Sequence, residues 1–154
     1  NELVYRNLSE DAKRQICAWK YGGEYDLYNL PAYEEMQVRQ IGFMNPQREK
    51  NYYGFWDESI LVGFVNILEE KEEVFIGIGV NPDLCNKHYG QRMLLITYEI
   101  SKKLYPNKPL YLEVRTWNIR AVKCYQKAGF RIDGQAYELT TGIGTGTFYR
   151  MIRE

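Results

Sequence analysis

A strongly apolar helical segment between two strand-like runs is the feature that most constrains the fold. Residues 89–104 carry large apolar side chains at helical spacing, and these fall on one side of the predicted helix: Tyr89, Met93, Ile96, Ile100 and Leu104. The run Val74–Val80 before the helix and the run Leu110–Arg115 after it have the composition of strands. Because a strand–helix–strand order implies a crossover connection, this segment predicts a mixed α/β domain.

The rest of the chain adds strands and helices on both sides of this crossover. Before it, we predict a strand at 2–7, a helix at 10–20 that is capped by Ser9 and ended by Gly22-Gly23, a helix at about 31–40, and a meander of strands at 52–56, 60–68 and 74–80. After it, we predict a helix at 118–128 and strands at 130–132 and 147–152. The predicted order is β-α-α-β-β-β-α-β-α-β-β, an α/β (α+β) fold in a single domain over residues 1–154.

Composition and charge argue against several classes of function. The chain has 20 Lys plus Arg and 20 Asp plus Glu, so a formal net charge of zero gives no support for nucleic acid or an anionic membrane as a partner. Its longest apolar runs are far shorter than the ~20 residues that cross a bilayer, and its polar N-terminus does not resemble a signal peptide. Three cysteines without a CxxC pair indicate a reducing, cytoplasmic setting. His88 is the single histidine and no cluster has metal-ligand spacing, so we predict no metal site.

The first segment that could carry chemistry is the loop between the strand at 74–80 and the helix that follows it. A helix start after such a break presents several backbone N–H groups, and these groups together with the helix dipole bind phosphate. Lys87 and Arg92 could add positive charge. Gly77 and Gly79 inside the strand indicate either a close approach by a ligand or crowding by a neighbouring strand. An ordinary turn with a solvated basic rim explains the same loop equally well.

The second segment is the strand Leu110–Arg115 with the helix after it. Alternation places Tyr111, Glu113 and Arg115 on one strand face. Asn118 lies where an N-cap belongs, and Gly129 lies where a helix-ending residue belongs. A purely structural interpretation is therefore available, in which Tyr125 packs and Glu113 pairs with Arg115.

These residues also resemble a known family. Asn118, Ala121, Tyr125, Lys127, Gly129 and Phe130, at this spacing after Leu112-Glu113-Val114-Arg115, resemble the C-terminal signature of the GNAT superfamily of acyl-CoA N-acyltransferases. The upstream loop has the position of the family's coenzyme A pyrophosphate loop, and the element order is similar over nearly the whole chain. The Glu-containing strand and a tyrosine twelve residues later look most like the ribosomal-protein N-terminal alanine acetyltransferases. The resemblance implies a mixed, centrally splayed sheet flanked by helices.

The loop departs from the family pattern, which is Gln/Arg-x-x-Gly-x-Gly/Ala. When the two are aligned on Gly90, this chain has Cys85 at the Gln/Arg position and His88 at the first glycine. Backbone amides bind the phosphates, so side-chain identity there is partly free. Histidine adopts a positive φ less readily than glycine, however, and its ring could crowd the phosphates.

The resemblance implies an N-acetyltransferase in which a primary amine attacks acetyl-CoA directly. Tyr125 would be the general acid and Glu113 the general base. The backbone of Ile78, Gly79 and Val80 would polarise the thioester oxygen, and Asn118 would contact the pantetheine arm. The pyrophosphate would bind the following residues of the loop and helix start: Cys85, Asn86, Lys87, His88, Tyr89, Gly90 and Gln91.

The acceptor stays open at the level of sequence. The aromatic-rich stretch from Trp19 to Tyr33 and the loop 142–146 would flank its entrance if the family layout holds, although ordinary packing explains these aromatics as well. We expect the loop 142–146 to be a hairpin or an acceptor-side loop, because a strand rather than a helix follows it. A protein N-terminus and a small-molecule amine are both compatible with the pattern, as is a non-catalytic acyl-CoA-binding or sensing module.

Cys124, next to Tyr125, suggests a covalent cysteine, but no partner histidine is evident. Whether the chain acts alone or as a homodimer is not readable.

Overall fold

The computed structural model describes residues 2–154, and this part of the chain forms eight strands, four α-helices and four short 3-10 helices. The strands are β1 (Val4–Asn7), β2 (Tyr52–Asp57), β3 (Ile60–Glu69), β4 (Val74–Val80), β5 (Leu110–Arg115), β6 (Arg131–Ile132), β7 (Tyr137–Thr141) and β8 (Gly144–Arg153). The α-helices are α1 (Glu10–Ala18), α2 (Tyr33–Arg39), α3 (Tyr89–Leu104) and α4 (Ile119–Lys127). The 3-10 helices are Gly23–Tyr28, Gly42–Met44, Glu49–Asn51 and Pro82–Leu84.

The strands form one mixed sheet in the order β1-β2-β3-β4-β5-β8-β6, and β7 also pairs with β8. β4 and β5 pair in parallel, through Val74 with Leu110 and Phe75 with Tyr111, and α3 connects them. β8 pairs antiparallel with β5 on one side and with β6 and β7 on the other. The predicted crossover and the mixed α/β fold class are therefore confirmed.

The chain divides into two compact units, each of which has buried apolar side chains. The first unit comprises the residues up to Asn66 together with Ile78–Tyr89, and its core includes Ala12, Ile16, Met36, Phe43 and Leu61. The second unit comprises Ile67–Gly77 and Gly90–Glu154, and its fully buried side chains include Met93, Leu94, Leu110 and Met151. The single-domain organisation over residues 1–154 stays a prediction.

Several element ends differ from the predicted ones. α1 ends at Ala18, where the Trp19 N–H bonds to the Ile16 carbonyl, so Gly22 and Gly23 do not end it. They begin the 3-10 helix Gly23–Tyr28 instead, with Gly23 at φ +57°. Ser9 is the N-cap of α1 as predicted, because its hydroxyl oxygen accepts the Ala12 N–H.

The largest omission from the predicted order is β7. It pairs with β8 from Tyr137↔Phe148 to Thr141↔Gly144, so the glycine-rich stretch forms a hairpin, as one of the two expectations had it. β8 begins at Gly144 rather than at residue 147. Within residues 2–154, no helix is long and apolar enough to cross a membrane.

Candidate functional site

Crowding within the first unit explains one of the two strand glycines. A Cβ atom built on Gly79 of β4 would overlap the Phe64 ring. The Phe64 ring in turn contacts Trp19, with ring centroids 6.3 Å apart. Close packing therefore accounts for glycine at position 79 without any ligand. The roles predicted for the amides of Ile78, Gly79 and Val80 stay predictions; the Val80 carbonyl accepts a hydrogen bond from the Tyr21 hydroxyl at 2.7 Å.

Asn81, which the sequence analysis did not single out, anchors the loop that follows β4. Its backbone N–H bonds to the Val62 carbonyl at 2.8 Å, and its side-chain amide bonds to the Leu61 carbonyl at 3.2 Å. Its side-chain oxygen accepts the Asp83 N–H at 3.0 Å, and this bond starts the 3-10 helix Pro82–Leu84. The signal was in the sequence, because an asparagine that bonds the backbone two residues later is typical of a turn start. Asn81 thus fixes the direction in which the chain leaves β4.

The loop then contains two residues in the left-handed region of backbone conformation. Asn86 and His88 both have φ +66°, and they lie on either side of Lys87. His88 occupies the position of the first glycine in the family pattern, and its conformation is one that glycine adopts without strain. His88 thus adopts a positive φ, a conformation that histidine takes less readily than glycine but more often than most other residues. The crowding of the phosphates by its ring stays a prediction. The side chains of residues 86–88 are exposed.

α3 begins directly after His88, at Tyr89. Its first turn contains no acidic residue, so no side chain of that turn offsets the positive end of the helix dipole or repels an anion there. The Tyr89 hydroxyl donates to the Asp57 carboxylate at 2.6 Å, so the first helical residue is held to the end of β2. Gly90 is buried and Gln91 is half-buried. Backbone donors at a helix start, without a carboxylate in that turn, fit a diphosphate group.

The junction between β5 and α4 has side chains in the predicted structural roles. Asn118 is 7% exposed, and its side-chain oxygen accepts the Ala121 N–H at 3.2 Å, which confirms it as the N-cap. Gly129 has φ +96°, and a Cβ atom there would meet the Arg153 side chain at 2.9 Å, so its role as a helix-ending glycine is also confirmed. The contact of Asn118 with a pantetheine arm stays a prediction.

Tyr125 and Cys124 are neighbours near the end of α4. Tyr125 is half-buried, and its carbonyl accepts the N–H groups of Ala128 and Phe130 where the helix closes. Its role as a general acid stays a prediction. Burial raises the pKa of the Cys124 thiol, and Lys127 only partly offsets this. A raised pKa disfavours the thiolate that a covalent mechanism would need.

Glu113 on β5 is exposed, and it does not pair with Arg115. Its carboxylate accepts a hydrogen bond from the Tyr137 hydroxyl of β7 at 2.7 Å. The Arg115 guanidinium lies 4.7 Å from the centre of the Phe148 ring, above the backbone of Gly146, where a Cβ atom would overlap it. In residues 2–154 no ion pair joins Glu113 with Arg115. The structural interpretation in which Glu113 pairs with Arg115 is therefore wrong.

The same face of the second unit contains further charged residues. Arg150, which is paired in register with Glu113, donates to Glu73 at 2.6 and 3.1 Å and to Asp133 at 3.1 Å. Tyr111 donates to Glu70 at 2.7 Å. In the part of the chain that the structure describes, no group of three or more His, Cys, Asp or Glu side chains is placed to hold a metal ion.

The model of the Acetyltransferase (GNAT) family matches residues 10–130. Comparison with curated protein sequences finds no match. Among solved structures, a chimera of the spermidine N-acetyltransferase SpeG from Vibrio cholerae and hSSAT has a TM-score of 0.78 at 18% identity, over 99% of this chain and 95% of that chain.

Two further solved structures are similar over nearly their whole length. A GNAT-family acetyltransferase from Bacillus anthracis has a TM-score of 0.77 at 18% identity, over 99% of this chain and 94% of that chain. A GNAT-family acetyltransferase from Streptococcus pneumoniae has a TM-score of 0.69 at 23% identity, over 99% of this chain and 98% of that chain. At these identities the structural likeness shows the fold alone.

Proposed function

Because the chain belongs to the GNAT acetyltransferase family, we propose that it transfers an acetyl group from acetyl-CoA to a primary amine. The observation that carries the proposal is the loop before α3, where Asn86 and His88 are left-handed and a helix begins without a carboxylate in its first turn. That arrangement suits a diphosphate, such as the one that joins the adenosine and pantetheine parts of coenzyme A. The pyrophosphate then binds the backbone of residues 85–91, with Lys87 as a nearby positive charge.

The chemical roles follow from the residue types and from the family. The amine nitrogen forms its bond to the acyl carbon, the bond from that carbon to sulfur breaks, and Glu113 takes the proton that the nitrogen loses. Tyr125 gives a proton to the departing thiolate, and it is available to do so because the ordinary pKa of a phenol, near 10, keeps it protonated at neutral pH. Proton exchange with solvent then restores both side chains. Backbone N–H groups of Ile78, Gly79 and Val80 stabilise the charge that develops on the thioester oxygen.

For the acceptor, we propose the α-amine of a protein N-terminus. Support comes from the Glu-containing β5 strand with Tyr125 twelve residues later, which resembles the ribosomal-protein N-terminal alanine acetyltransferases. An α-amine is also neutralised more easily than a lysine side chain, since their ordinary pKa values are near 8 and 10.4. Small-molecule amines are the alternative. The structural likeness to a spermidine N-acetyltransferase does not favour them, because at 18% identity it concerns the fold.

A panel of acceptors tests both levels of the proposal. Purified protein is incubated with acetyl-CoA and with an Ala-starting peptide, a Ser-starting peptide, spermidine or glucosamine, and released thiol is measured. We expect turnover with at least one acceptor. If the acceptor is a protein N-terminus, the two peptides should be preferred over spermidine and glucosamine. Binding of acetyl-CoA without turnover of any acceptor would instead support a non-catalytic acyl-CoA-binding module. The cytoplasmic setting stays a prediction of the sequence analysis, and a homodimer stays a possibility that the sequence leaves open.

A further inference from the structure

Glu113 has a neutral hydrogen-bond partner on a strand that only the structure reveals. In the second unit, β8 lies between β5 and β7, and Phe148 of β8 is in register with Arg115 on one side and with Tyr137 on the other. Glu113 is two residues before Arg115, so it shares this face of the sheet. The Tyr137 phenol reaches past β8 and donates to Oε2 of Glu113 at 2.7 Å. We propose that Tyr137 is a positioning residue that fixes the Glu113 carboxylate for proton acceptance; this rests on the proposed function.

Among residues 2–154, no cationic side chain on this face donates a hydrogen bond to Glu113. Arg150 is the residue directly opposite Glu113, but its guanidinium donates to Glu73 and Asp133. An arginine bound to Glu113 would strongly favour the ionised carboxylate and oppose proton uptake. A phenol orients the carboxylate through one oxygen and leaves the lone pairs of Oε1 as acceptors. The network around Arg150 therefore keeps the base available.

Tyr137 can serve as a donor over the whole physiological pH range. Burial, together with the hydrogen bond to Glu113 and the nearby carboxylates, raises the pKa of Tyr137 well above its usual range, and Arg150 only partly offsets this. The phenol thus keeps its proton before, during and after acetyl transfer. In the reaction the amine proton passes to Oε1 of Glu113, while Tyr137 exchanges no proton and holds Oε2 throughout. A carboxylate held in one orientation transfers protons more effectively than one that rotates freely.

The chain offers a matched control for this hydrogen bond. Tyr111 is also a half-buried tyrosine of the second unit, and it donates to Oε1 of Glu70 at 2.7 Å. Burial and the bond to Glu70 raise the pKa of Tyr111 as well. The substitution Tyr111→Phe therefore removes the same kind of bond from a carboxylate that has no part in the proposed chemistry. A larger loss of kcat in Tyr137→Phe than in Tyr111→Phe would therefore show that the hydrogen bond to Glu113, rather than such a bond to any carboxylate, matters for the reaction.

The test measures kcat and KM for the best acceptor of the panel in wild type, Tyr137→Phe, Tyr111→Phe, Glu113→Gln and the double variant Tyr137→Phe/Glu113→Gln. Loss of a hydrogen bond to a charged group should lower kcat roughly tenfold in Tyr137→Phe, with KM for acetyl-CoA unchanged. Tyr111→Phe should keep the wild-type kcat. In the Glu113→Gln background, Tyr137→Phe should change kcat by less than about twofold, because the two residues act as one unit.

Several outcomes would overturn the proposal, and they differ from failure of the proposed function. A wild-type kcat in Tyr137→Phe would remove its positioning role while acetyl transfer itself stands. A similar loss in Tyr137→Phe and Tyr111→Phe, or an undiminished loss in the Glu113→Gln background, would assign the effect to general destabilisation of the sheet. If wild type turns over no acceptor of the panel, the proposed function fails first and the positioning role fails with it.

Discussion

The two strand–helix junctions of the chain begin their helices by different means. Between β5 and α4, a buried Asn118 side chain caps the helix through the Ala121 N–H. Between β4 and α3, the chain instead reaches the helix through left-handed backbone at Asn86 and His88, where the family has a glycine at the second of these positions. Sequence patterns identify a junction built from side chains readily. A junction built from backbone conformation can keep its geometry after its consensus glycine has been replaced.

The largest effect, on kcat, should come from a substitution in α4, the helix that Asn118 caps. Tyr125→Phe keeps the ring and its packing but removes the proton donor, so kcat should fall by ~10²–10⁴-fold while coenzyme A affinity and stability stay nearly unchanged. Single-turnover kinetics with a matched amine provide the measurement, since slow product release would hide a slower chemical step. A variant with the wild-type single-turnover rate would return α4 to a purely structural role and weaken the contrast between the junctions.

A smaller effect is expected from the cap itself. Asn118→Ala should lower the free energy of unfolding by ~1 kcal/mol, because the Ala121 N–H loses its acceptor, and should also weaken acetyl-CoA binding. Denaturant unfolding of the ligand-free protein and calorimetric titration measure the two effects separately. Asn118→Asp is the control, because an aspartate caps about as well as an asparagine. If Asn118→Ala loses affinity at unchanged stability, the cap contributes little and Asn118 acts on the ligand alone.

The smallest effect is expected in the loop between β4 and α3, where Asn86 and His88 are left-handed. His88→Gly should raise the free energy of unfolding by about 0.5 kcal/mol, since relief of a left-handed side-chain conformation slightly exceeds the entropy cost of glycine. Asn86→Gly should be nearly neutral, because asparagine tolerates this conformation. Acetyl-CoA affinity should change by less than about twofold in either variant. A strong loss of affinity in His88→Gly would show that the histidine side chain, rather than the backbone, supports binding.

Long periodic elements could be predicted from the sequence to the residue. The bounds of β4, α3 and β5 agree with the predicted ones, because each combines a clear hydrophobic pattern with a turn or break at both ends. The family match over residues 10–130 confirms the superfamily that the Asn118–Phe130 block indicated, whereas the alanine acetyltransferase subtype stays a proposal. β7 was not predicted because its alternating pattern is weak. In addition, residues 142–146, which directly follow it, look like an irregular glycine-rich loop rather than the turn and second strand of a hairpin.

The missed strand explains the main error at the candidate site. Glu113 and Arg115 are neighbours on one strand face, so they were the obvious pair in sequence. Their actual partners, Tyr137 and the Phe148 ring, come from strands 24 and 33 residues further along the chain. A single sequence without an established hairpin contains no signal for such long-range contacts. Capping residues such as Ser9 and Asn118 were predictable because their partners lie three residues away.

We propose that backbone amides before and at the start of α3 bind acetyl-CoA, and amide-resolved NMR tests this binding most directly. A ¹H–¹⁵N titration of the labelled wild-type protein with acetyl-CoA follows every backbone N–H, and a thermal-shift series run alongside measures the stabilisation. We expect the amides of residues 86–91 to be among the most strongly shifted, and we expect the free energy of unfolding to rise by ~2.7 kcal/mol at a hundredfold excess of acetyl-CoA over Kd. Unshifted amides at 86–91, or no response to millimolar acetyl-CoA, would contradict it.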